Sequence, residues 1–335
     1  MKKLIITMVG VFLIFSLNQV SAEPVKLKLS TVVPPKGHSV AEIIKPWSEK
    51  VVKASEGTLD IEIYAGGVLG RAVKMYFQQM DKGVFDICLL YPTYFGDRFP
   101  NIGFIHIPFM AETYLEGALG VQRMFDKGLI RGFEDVEVLM LLGTSPFYLN
   151  TIFPMQTPED LKGHKCRSVS EFHSDLLSQL GMTPVNVPVN KSAESLSRKL
   201  IEGTIESPSS LTIFGGYKIA KNHLVLPLGS FGLAILMNKQ KYLNLPPKAK
   251  AAIDKYKGEW FSRFWAEQST PLENGYLEGW KKDPSHTVVI PTGENLKKWK
   301  AAIQPSIEAW KKEKPERAEM LNAYQKELDR VRAGN

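Results

Sequence analysis

The sequence lacks the short motifs by which most catalytic and metal sites are recognised. It contains no G-x-x-x-x-G-K-[ST] phosphate loop and no H-E-x-x-H, and the stretch "GTSPF" at 143–147 departs from G-x-S-x-G at its last position. Its 6 histidines show no metal-ligand spacing, and no EF-hand-like loop is present. Catalysis by side chains is therefore unsupported, no cofactor is predicted, and binding becomes the leading class of function.

Long apolar runs are also absent, except for one at the N-terminus. The basic "MKK" precedes an apolar segment at 4–17, and the small residues of "VSA" at 20–22 fit a cleavage site. We predict a secretory signal peptide over residues 1–22, because the apolar segment is shorter than an ordinary membrane-spanning helix. The alternative is an anchor that is not cleaved. The mature chain would then begin near Glu23, outside the cytoplasm.

Charge of one sign is only slightly in excess. The formal charge of +7 falls to +5 when Lys2 and Lys3 leave with the leader, and the remaining basic residues are spread along the chain. Such a distribution is typical of a solvated surface rather than of a nucleic-acid footprint. We therefore expect no nucleic-acid partner.

Cysteine is scarce, with only Cys88 and Cys166 in the chain. An exported protein could join two cysteines in a disulfide. Both residues, however, stand in apolar, strand-like runs that we assign to different lobes. We therefore interpret them as buried free thiols.

What the sequence does contain is hydrophobic periodicity typical of two α/β units. Strands and helices alternate between residues 25 and 92, and the pattern restarts after residue 136. Extended segments near 144–150 and 228–235 would cross between the units. We predict an α/β fold of two lobes joined by a strand hinge, with the ligand in the cleft between them.

The pattern predicts the bounds of two helices that matter for how the lobes are assembled. One spans 191–202 and would be stopped by Gly203. The other spans 246–283, is kinked near Pro271 and is long enough to lie across both lobes. We expect lobe I to comprise residues 23–147 plus 232–273, and lobe II to comprise residues 148–231 plus 274–335.

Several segments in a fixed order resemble one family of transport proteins. The chain is similar over nearly its whole mature length to the solute-binding proteins of tripartite ATP-independent periplasmic (TRAP) transporters, the DctP-like group. The matching segments are "AGGVLG" (65–70), "MDKGVFDI" (80–87), "FPNIGFIHIPFM" (99–110), "TPEDLKGHKCR" (157–167), "QLGMTPVNVPVN" (179–190) and "GLAILMNKQKYLNLPPKAK" (232–250). The resemblance implies a periplasmic-binding-protein fold and a periplasmic location. It also implies capture of a small organic acid by a monomer, for delivery to the small and large membrane permease subunits.

The resemblance assigns a role to one arginine. The family pattern L-K-G-x-K-x-R ends here at Arg167, and in the family this arginine forms a bidentate salt bridge with the carboxylate of the substrate. A guanidinium is permanently charged and its fork matches two carboxylate oxygens, so the chemistry agrees with that role. The alternative is a structural pairing of Arg167 with a neighbouring acid such as Glu171.

Departures from the family pattern indicate a less polar pocket. Phe147 stands where the sialic-acid-binding branch has a second arginine, and Tyr91 stands where that branch has an acid. Hydroxyl groups replace amides after Arg167 and at Ser210, and "ESPSS" at 206–210 offers only Glu206 as a metal ligand, so no metal is predicted. We expect a monocarboxylate with an apolar or aromatic body, although each aromatic residue could instead be ordinary core. The predicted substrate-binding residues are Arg167, Phe147, Tyr91, Ser170, Ser210, Tyr94 and Phe231.

Three other functions stay open from the sequence. The protein could present its ligand to a membrane sensor, or it could serve an ATP-driven importer. An enzyme built on a binding-protein scaffold is disfavoured because no nucleophile or metal set is found.

Overall fold

The computed structural model describes residues 23–335, and the predicted signal peptide at 1–22 lies outside the described residues. The strands are β1 (Val25–Ser30), β2 (Leu59–Tyr64), β3 (Ile87–Leu90), β4 (Val136–Gly143), β5 (Tyr148–Thr151), β6 (Lys165–Ser168), β7 (Thr183–Asn186), β8 (Gly203–Glu206), β9 (Asn222–Leu224), β10 (Gly232–Asn238) and β11 (Thr287–Val289). They form two mixed sheets that are flanked by helices. The predicted α/β class is confirmed.

Helices connect and cover these strands. They are α1 (Lys45–Ala54), α2 (Tyr76–Asp81), α3 (Tyr114–Asp126), α4 (Glu171–Gln179), α5 (Ser192–Ser197), α6 (Pro208–Ile213), α7 (Lys239–Leu243), α8 (Pro247–Lys255), α9 (Glu259–Lys282), α10 (Gly293–Glu313) and α11 (Pro315–Arg332). Short 3₁₀ turns at Pro92–Phe95 and Ile102–His106 lie close to the site described below. No helix in the described part of the chain is long and apolar enough to cross a membrane.

In each sheet, three neighbouring strands are parallel, and the next strand in the sheet runs antiparallel to them. The five-stranded sheet has the order β2-β1-β3-β10-β4, in which β1 to β3 are parallel and β10 runs antiparallel to both neighbours. The six-stranded sheet has the order β11-β9-β5-β8-β6-β7, in which β6 to β8 are parallel and β5 is antiparallel to β8 and β9. The antiparallel strands β5 and β10 are the ones that follow the two crossings between the sheets.

The predicted helix at 191–202 is shorter in the structure. Helix α5 ends at Ser197, and Lys199 adopts a left-handed φ of 55° that turns the chain out of the helix. Buried Leu196 and Ile201 keep this turn packed in a small apolar cluster. Gly203 therefore opens strand β8 instead of stopping a helix.

The predicted helix at 246–283 is broken into α8 and α9. Gly258 separates them because its φ of 63° cannot be part of a right-handed helix, and its N–H donates to the carbonyl of Leu139 at 2.8 Å. Pro271 lies inside α9, as predicted. A single helix over this whole range is therefore wrong.

Helix α9 packs through its aromatic residues on elements from both halves of the molecule. Phe261, near its start, stacks on Trp47 of α1 with ring centroids 4.6 Å apart. Near its end, Trp280 stacks on His223 of β9 at 4.1 Å. Buried aromatic pairs of this kind dominate the energetics of a core, and they fix the helix across the two halves of the molecule.

Two extended segments form the connection between the sheets, and they are hydrogen-bonded to each other. The N–H of Thr144 donates to Phe231 O at 2.9 Å, and the N–H of Phe147 donates to Gly229 O at 2.8 Å. Gly229 has a φ of 91°, and a Cβ there would lie 2.3 Å from the carbonyl oxygen of His106. Only glycine fits this close approach.

The C-terminal helices pack on different elements. Helix α10 lies against α4, whereas α11 lies against α3, where Gly120 makes room for Tyr324 and Leu328. Helix α3 belongs to the layer on the five-stranded sheet. The lobe boundaries stay a prediction. Helix α11, which the sequence analysis placed in lobe II, packs on α3 beside the five-stranded sheet.

We expect Glu273 of α9 to hold the crossing in place. Its buried carboxylate accepts hydrogen bonds from Ser145 Oγ (2.8 Å), Ser209 N (2.9 Å) and Ser209 Oγ (2.5 Å). Because Glu273→Ala leaves these donors unpaired, it should lower the free energy of unfolding by about 2 to 3 kcal/mol.

Urea unfolding followed by circular dichroism measures this loss. The control is Glu267→Ala, which removes an exposed glutamate from the same helix and should change stability by no more than about 0.5 kcal/mol. Equal effects from the two variants would contradict the assigned role of Glu273.

Candidate functional site

The candidate site lies where parallel strands of both sheets end. Tyr91 follows the last residue of β3, Arg167 is the penultimate residue of β6, and Glu206 is the last residue of β8. Carboxyl ends of parallel strands meet at one edge of a sheet, and crevices outside that edge are the usual ligand sites of open α/β sheets. The topology thus brings charged and aromatic side chains together from distant parts of the sequence.

Arg167 is buried beside an acid. Only 6% of Arg167 and 1% of Glu206 is exposed, and Nη1 of the arginine lies 3.6 Å from Oε1 of the glutamate. The Nε–H group donates to Val187 O at 2.7 Å. Within residues 23–335, Nη1 and Nη2 donate no hydrogen bond to a protein atom. Part of the guanidinium fork is therefore available to an anion.

Glu206 is fixed by hydroxyl groups. Thr204 Oγ1 donates to Oε1 at 2.8 Å, and Ser210 Oγ donates to Oε2 at 2.7 Å. Glu206 is thus the acid that meets Arg167, in place of the predicted alternative Glu171, which begins α4. The sequence analysis considered Glu206 only as a metal ligand, and the signal that it missed is the pairing of β6 with β8, which sets Arg167 opposite Thr204.

The four aromatic residues predicted for the site form one cluster, with Phe231 at its centre. The ring centroid of Phe231 lies 5.3 Å from that of Tyr94, 5.7 Å from Tyr91 and 6.1 Å from Phe147. Tyr91 and Tyr94 come from the five-stranded side, whereas Phe147 and Phe231 stand on the two crossing segments. Phe147 and Phe231 are buried, while Tyr94 is 46% exposed.

Tyr94 connects this cluster to the charged pair. The pKa of Tyr94 is raised above its ordinary value: partial burial of the residue raises it most, the positive charge of Arg167 lowers it, and the negative charge of Glu206 raises it. A phenol responds to both charges only when it lies near them. The aromatic cluster and the Arg167–Glu206 pair therefore lie within electrostatic range of each other, and together they form the candidate site.

Ser170 caps α4, the helix that follows β6. Its Oγ caps α4 by accepting from His173 N at 3.2 Å, and its hydroxyl donates to His173 Nδ1 at 2.8 Å. Nε2 of His173 donates to Leu228 O at 2.7 Å. Both nitrogens of this histidine and the hydroxyl of Ser170 are therefore occupied, and a ligand contact by Ser170 stays a prediction.

The family model for "bacterial extracellular solute-binding protein, family 7" (DctP) matches residues 29–313. The chain belongs to this family. As a member of this family, the protein is a TRAP solute-binding protein. Its homologues take part in transport and are not enzymes.

Relatives of known structure or function agree with this assignment. A marine-metagenome TRAP solute-binding protein specific for aromatic acid ligands, in complex with metahydroxyphenylacetate, is 26% identical, with a TM-score of 0.83 over 91% of this chain and 99% of that one. A TRAP solute-binding protein from Rhodoferax ferrireducens in complex with copurified benzoate has a TM-score of 0.82 at 23% identity, over 93% and 100% of the two chains. The C4-dicarboxylate-binding periplasmic protein DctP of Rhodobacter capsulatus is 24% identical over 85% of this chain and 86% of its own.

We expect that removing one charge of the Arg167–Glu206 pair destabilises the protein more than removing both charges does. Arg167→Gln leaves the buried carboxylate of Glu206 without its positive partner and should lower the free energy of unfolding by about 3 to 5 kcal/mol. The double variant Arg167→Gln/Glu206→Gln removes both charges and should be more stable than the single variant. Denaturant unfolding of both variants and of Glu206→Gln gives the coupling energy, and additive losses would contradict the pairing.

Buried histidines should make stability depend on pH. Burial lowers the pKa of His173 to about 4, and of His106 and His223 to about 3, from the ordinary 6.5. The unfolded chain therefore takes up protons first. The stability that these groups contribute is complete above pH 6.5 and is lost as pH falls towards the folded pKa values, about 4 for His173 and about 3 for His106 and His223.

His223→Asn tests this dependence because it removes one of the three groups. Between pH 6.5 and 5 its free energy of unfolding should fall less steeply than that of the wild type. The expected difference in slope approaches about 1.4 kcal/mol per pH unit. Urea unfolding at several pH values measures both slopes, and parallel curves would show that His223 does not titrate as its burial requires.

Proposed function

We propose that the protein captures an organic monocarboxylate with an apolar or aromatic body and delivers it to the membrane subunits of a TRAP transporter. The single observation that carries this proposal is the buried guanidinium of Arg167, whose Nη1 and Nη2 donate no hydrogen bond to another of the described residues. It would act in the periplasm as a monomer, after removal of residues 1–22.

The electrostatics of the site support a carboxylate as the ligand. A buried positive charge favours an anion, and charge-assisted bonds from a guanidinium to a carboxylate are both strong and directional. Glu206 offsets part of the positive charge before the ligand enters and, through its 3.6 Å contact with Nη1, holds the arginine in place. The ligand's carboxylate would bind the remaining donors.

The aromatic cluster supports an apolar or aromatic body for the ligand. Tyr91, Tyr94, Phe147 and Phe231 supply rings next to the arginine, and neutral His106 and His173 add no second positive charge. Ring faces and edges favour another aromatic ring over a hydroxyl-rich sugar acid. The 26% identical relative, which is specific for aromatic acid ligands, supports the same class.

The positions of these residues also support closure around the ligand. Tyr91 and Tyr94 follow a strand of the five-stranded sheet, and Arg167 stands on the six-stranded sheet. A ligand that contacts both sides favours the closed state by the free energy of those joint contacts. The closed form would then be the one that the permease subunits recognise.

The test compares acids with their neutral amides. By isothermal titration calorimetry, the mature protein should bind phenylacetate or a related aromatic acid. We expect binding of phenylacetamide, which has the same ring but no charge, to be weaker by about 100-fold.

Arg167→Lys is the matched variant because it keeps the positive charge beside Glu206 and removes the fork. It should fold and should bind the acid at least about tenfold more weakly than the wild type. Equal binding of acid and amide, or full affinity in Arg167→Lys, would refute the arginine–carboxylate contact. Preference for a sugar acid or a dicarboxylate would refute the proposed ligand class.

A further inference from the structure

A buried acceptor stands beside the aromatic cluster without a partner. His106, the last residue of the 3₁₀ turn Ile102–His106, is 3% exposed, and its Nδ1 lies 2.9 Å from Ser230 O. A carbonyl oxygen can only accept, so Nδ1 carries the proton of this contact. Among the described residues, Nε2 of the same ring has no hydrogen-bond partner.

The charge state of His106 defines what Nε2 can do. Burial lowers the pKa of His106 to about 3, with a contribution from neighbouring His173, so the ring is neutral at neutral pH. With the proton on Nδ1, Nε2 carries a free lone pair and is an acceptor only. A buried acceptor without a donor is unfavourable, and native proteins rarely keep one without a use.

The position of the ring relates this acceptor to the candidate site. The ring centroid of His106 lies 6.2 Å from that of Phe231, the centre of the aromatic cluster, and 5.3 Å from that of His173. His173 in turn lies near enough to Arg167 for its charge to contribute to the lowered pKa of the histidine. His106 is thus adjacent both to the aromatic cluster and to His173, which lies within electrostatic range of Arg167.

Several of the polar side chains predicted for the site, or in contact with them, already have partners. Ser170 donates to His173, Ser210 donates to Glu206, and both nitrogens of His173 are occupied. Among the described residues, the buried polar atoms near the cluster that have no partner are Nε2 of His106 and Oγ1 of Thr93. Of these two atoms, Nε2 of the neutral histidine can only accept, so it can pair with a donor on a ligand whose carboxylate is held by Arg167.

We propose that Nε2 of His106 accepts a hydrogen bond from a hydroxyl group on the ligand, so that the site selects hydroxy-substituted aromatic monocarboxylates over their unsubstituted parents. The inference rests on the proposed function and names the ligand class more narrowly. Arg167 would bind the carboxylate and His106 the hydroxyl, which fixes both ends of the ring. A site that hydrogen-bonds a hydroxyl group of its ligand binds the analogue without this hydroxyl more weakly, because the buried acceptor then has no donor.

The variant that isolates this contact is His106→Asn. The amide nitrogen of asparagine can occupy the place of Nδ1 and donate to Ser230 O, but the shorter side chain has no acceptor where Nε2 stands. Calorimetry of both proteins uses phenylacetate together with its 2-, 3- and 4-hydroxy derivatives, because the three isomers sample the direction of the lone pair.

We expect the wild type to bind one hydroxy isomer about tenfold more tightly than phenylacetate. In His106→Asn this preference should disappear, while the affinity for phenylacetate should change by less than about threefold. Equal wild-type affinities for phenylacetate and all three hydroxy acids would overturn the inference, since Nε2 would then be met by water alone. A preference that persists in the variant would overturn it as well.

A measurement on the wild type guards against a variant that does not fold. With nitrogen-15-labelled histidine, the resonance of the unprotonated Nε2 of His106 should move on addition of the preferred hydroxy acid and stay in place on addition of phenylacetate. An Nε2 resonance that responds to neither acid, although both bind, would overturn the inference alone. If no aromatic acid binds the wild type, the proposed function fails and this inference fails with it.

Discussion

The permanently charged guanidinium of Arg167, buried at the end of a strand, is the constraint on which the site depends. A charge in such a place is stable only with an opposite charge and satisfied hydrogen bonds. Glu206, Val187 O and the hydroxyls that hold Glu206 supply these from β8, the chain after β7 and the start of α6. The strand order of the six-stranded sheet, with β6 between β8 and β7, is what makes this arrangement possible.

The same constraint explains why a buried ion pair suits a binding protein. Glu206 keeps the empty site from carrying an uncompensated charge, and the loose 3.6 Å contact to Nη1 leaves donors for a ligand. In the proposed function the pair would act as a preorganised receptor rather than as a source of stability, since buried pairs often contribute little net stability. Preorganisation reduces the free energy that is lost when the ligand is ordered.

In the proposed closure, the crossing segments would connect this chemistry to motion of the two halves. Phe147 and Phe231 belong both to the aromatic cluster and to the hydrogen-bonded pair of segments at 144–147 and 228–231. Glu273 fixes the first segment to α6, whose Ser210 donates to Glu206. A ligand that packs on these rings contacts the residues about which the halves would rotate, so binding and closure share the same side chains.

Local patterns in the sequence determined the α/β class, the alternation of strands and helices and, through family resemblance, the place of Arg167. Periodicity carries this information because each strand or helix exposes one face according to its own repeat. The tertiary structure alone decided that Glu206 rather than Glu171 meets Arg167, since that choice follows from which strands are neighbours. It also decided that Gly258 divides the long helix, because a positive φ depends on where the chain must turn. Family resemblance had placed Tyr91, Phe147 and Phe231 in one predicted site, but only the tertiary structure showed that His106 lies beside Phe231. These residues are joined by crossings between two sheets and not by any local repeat.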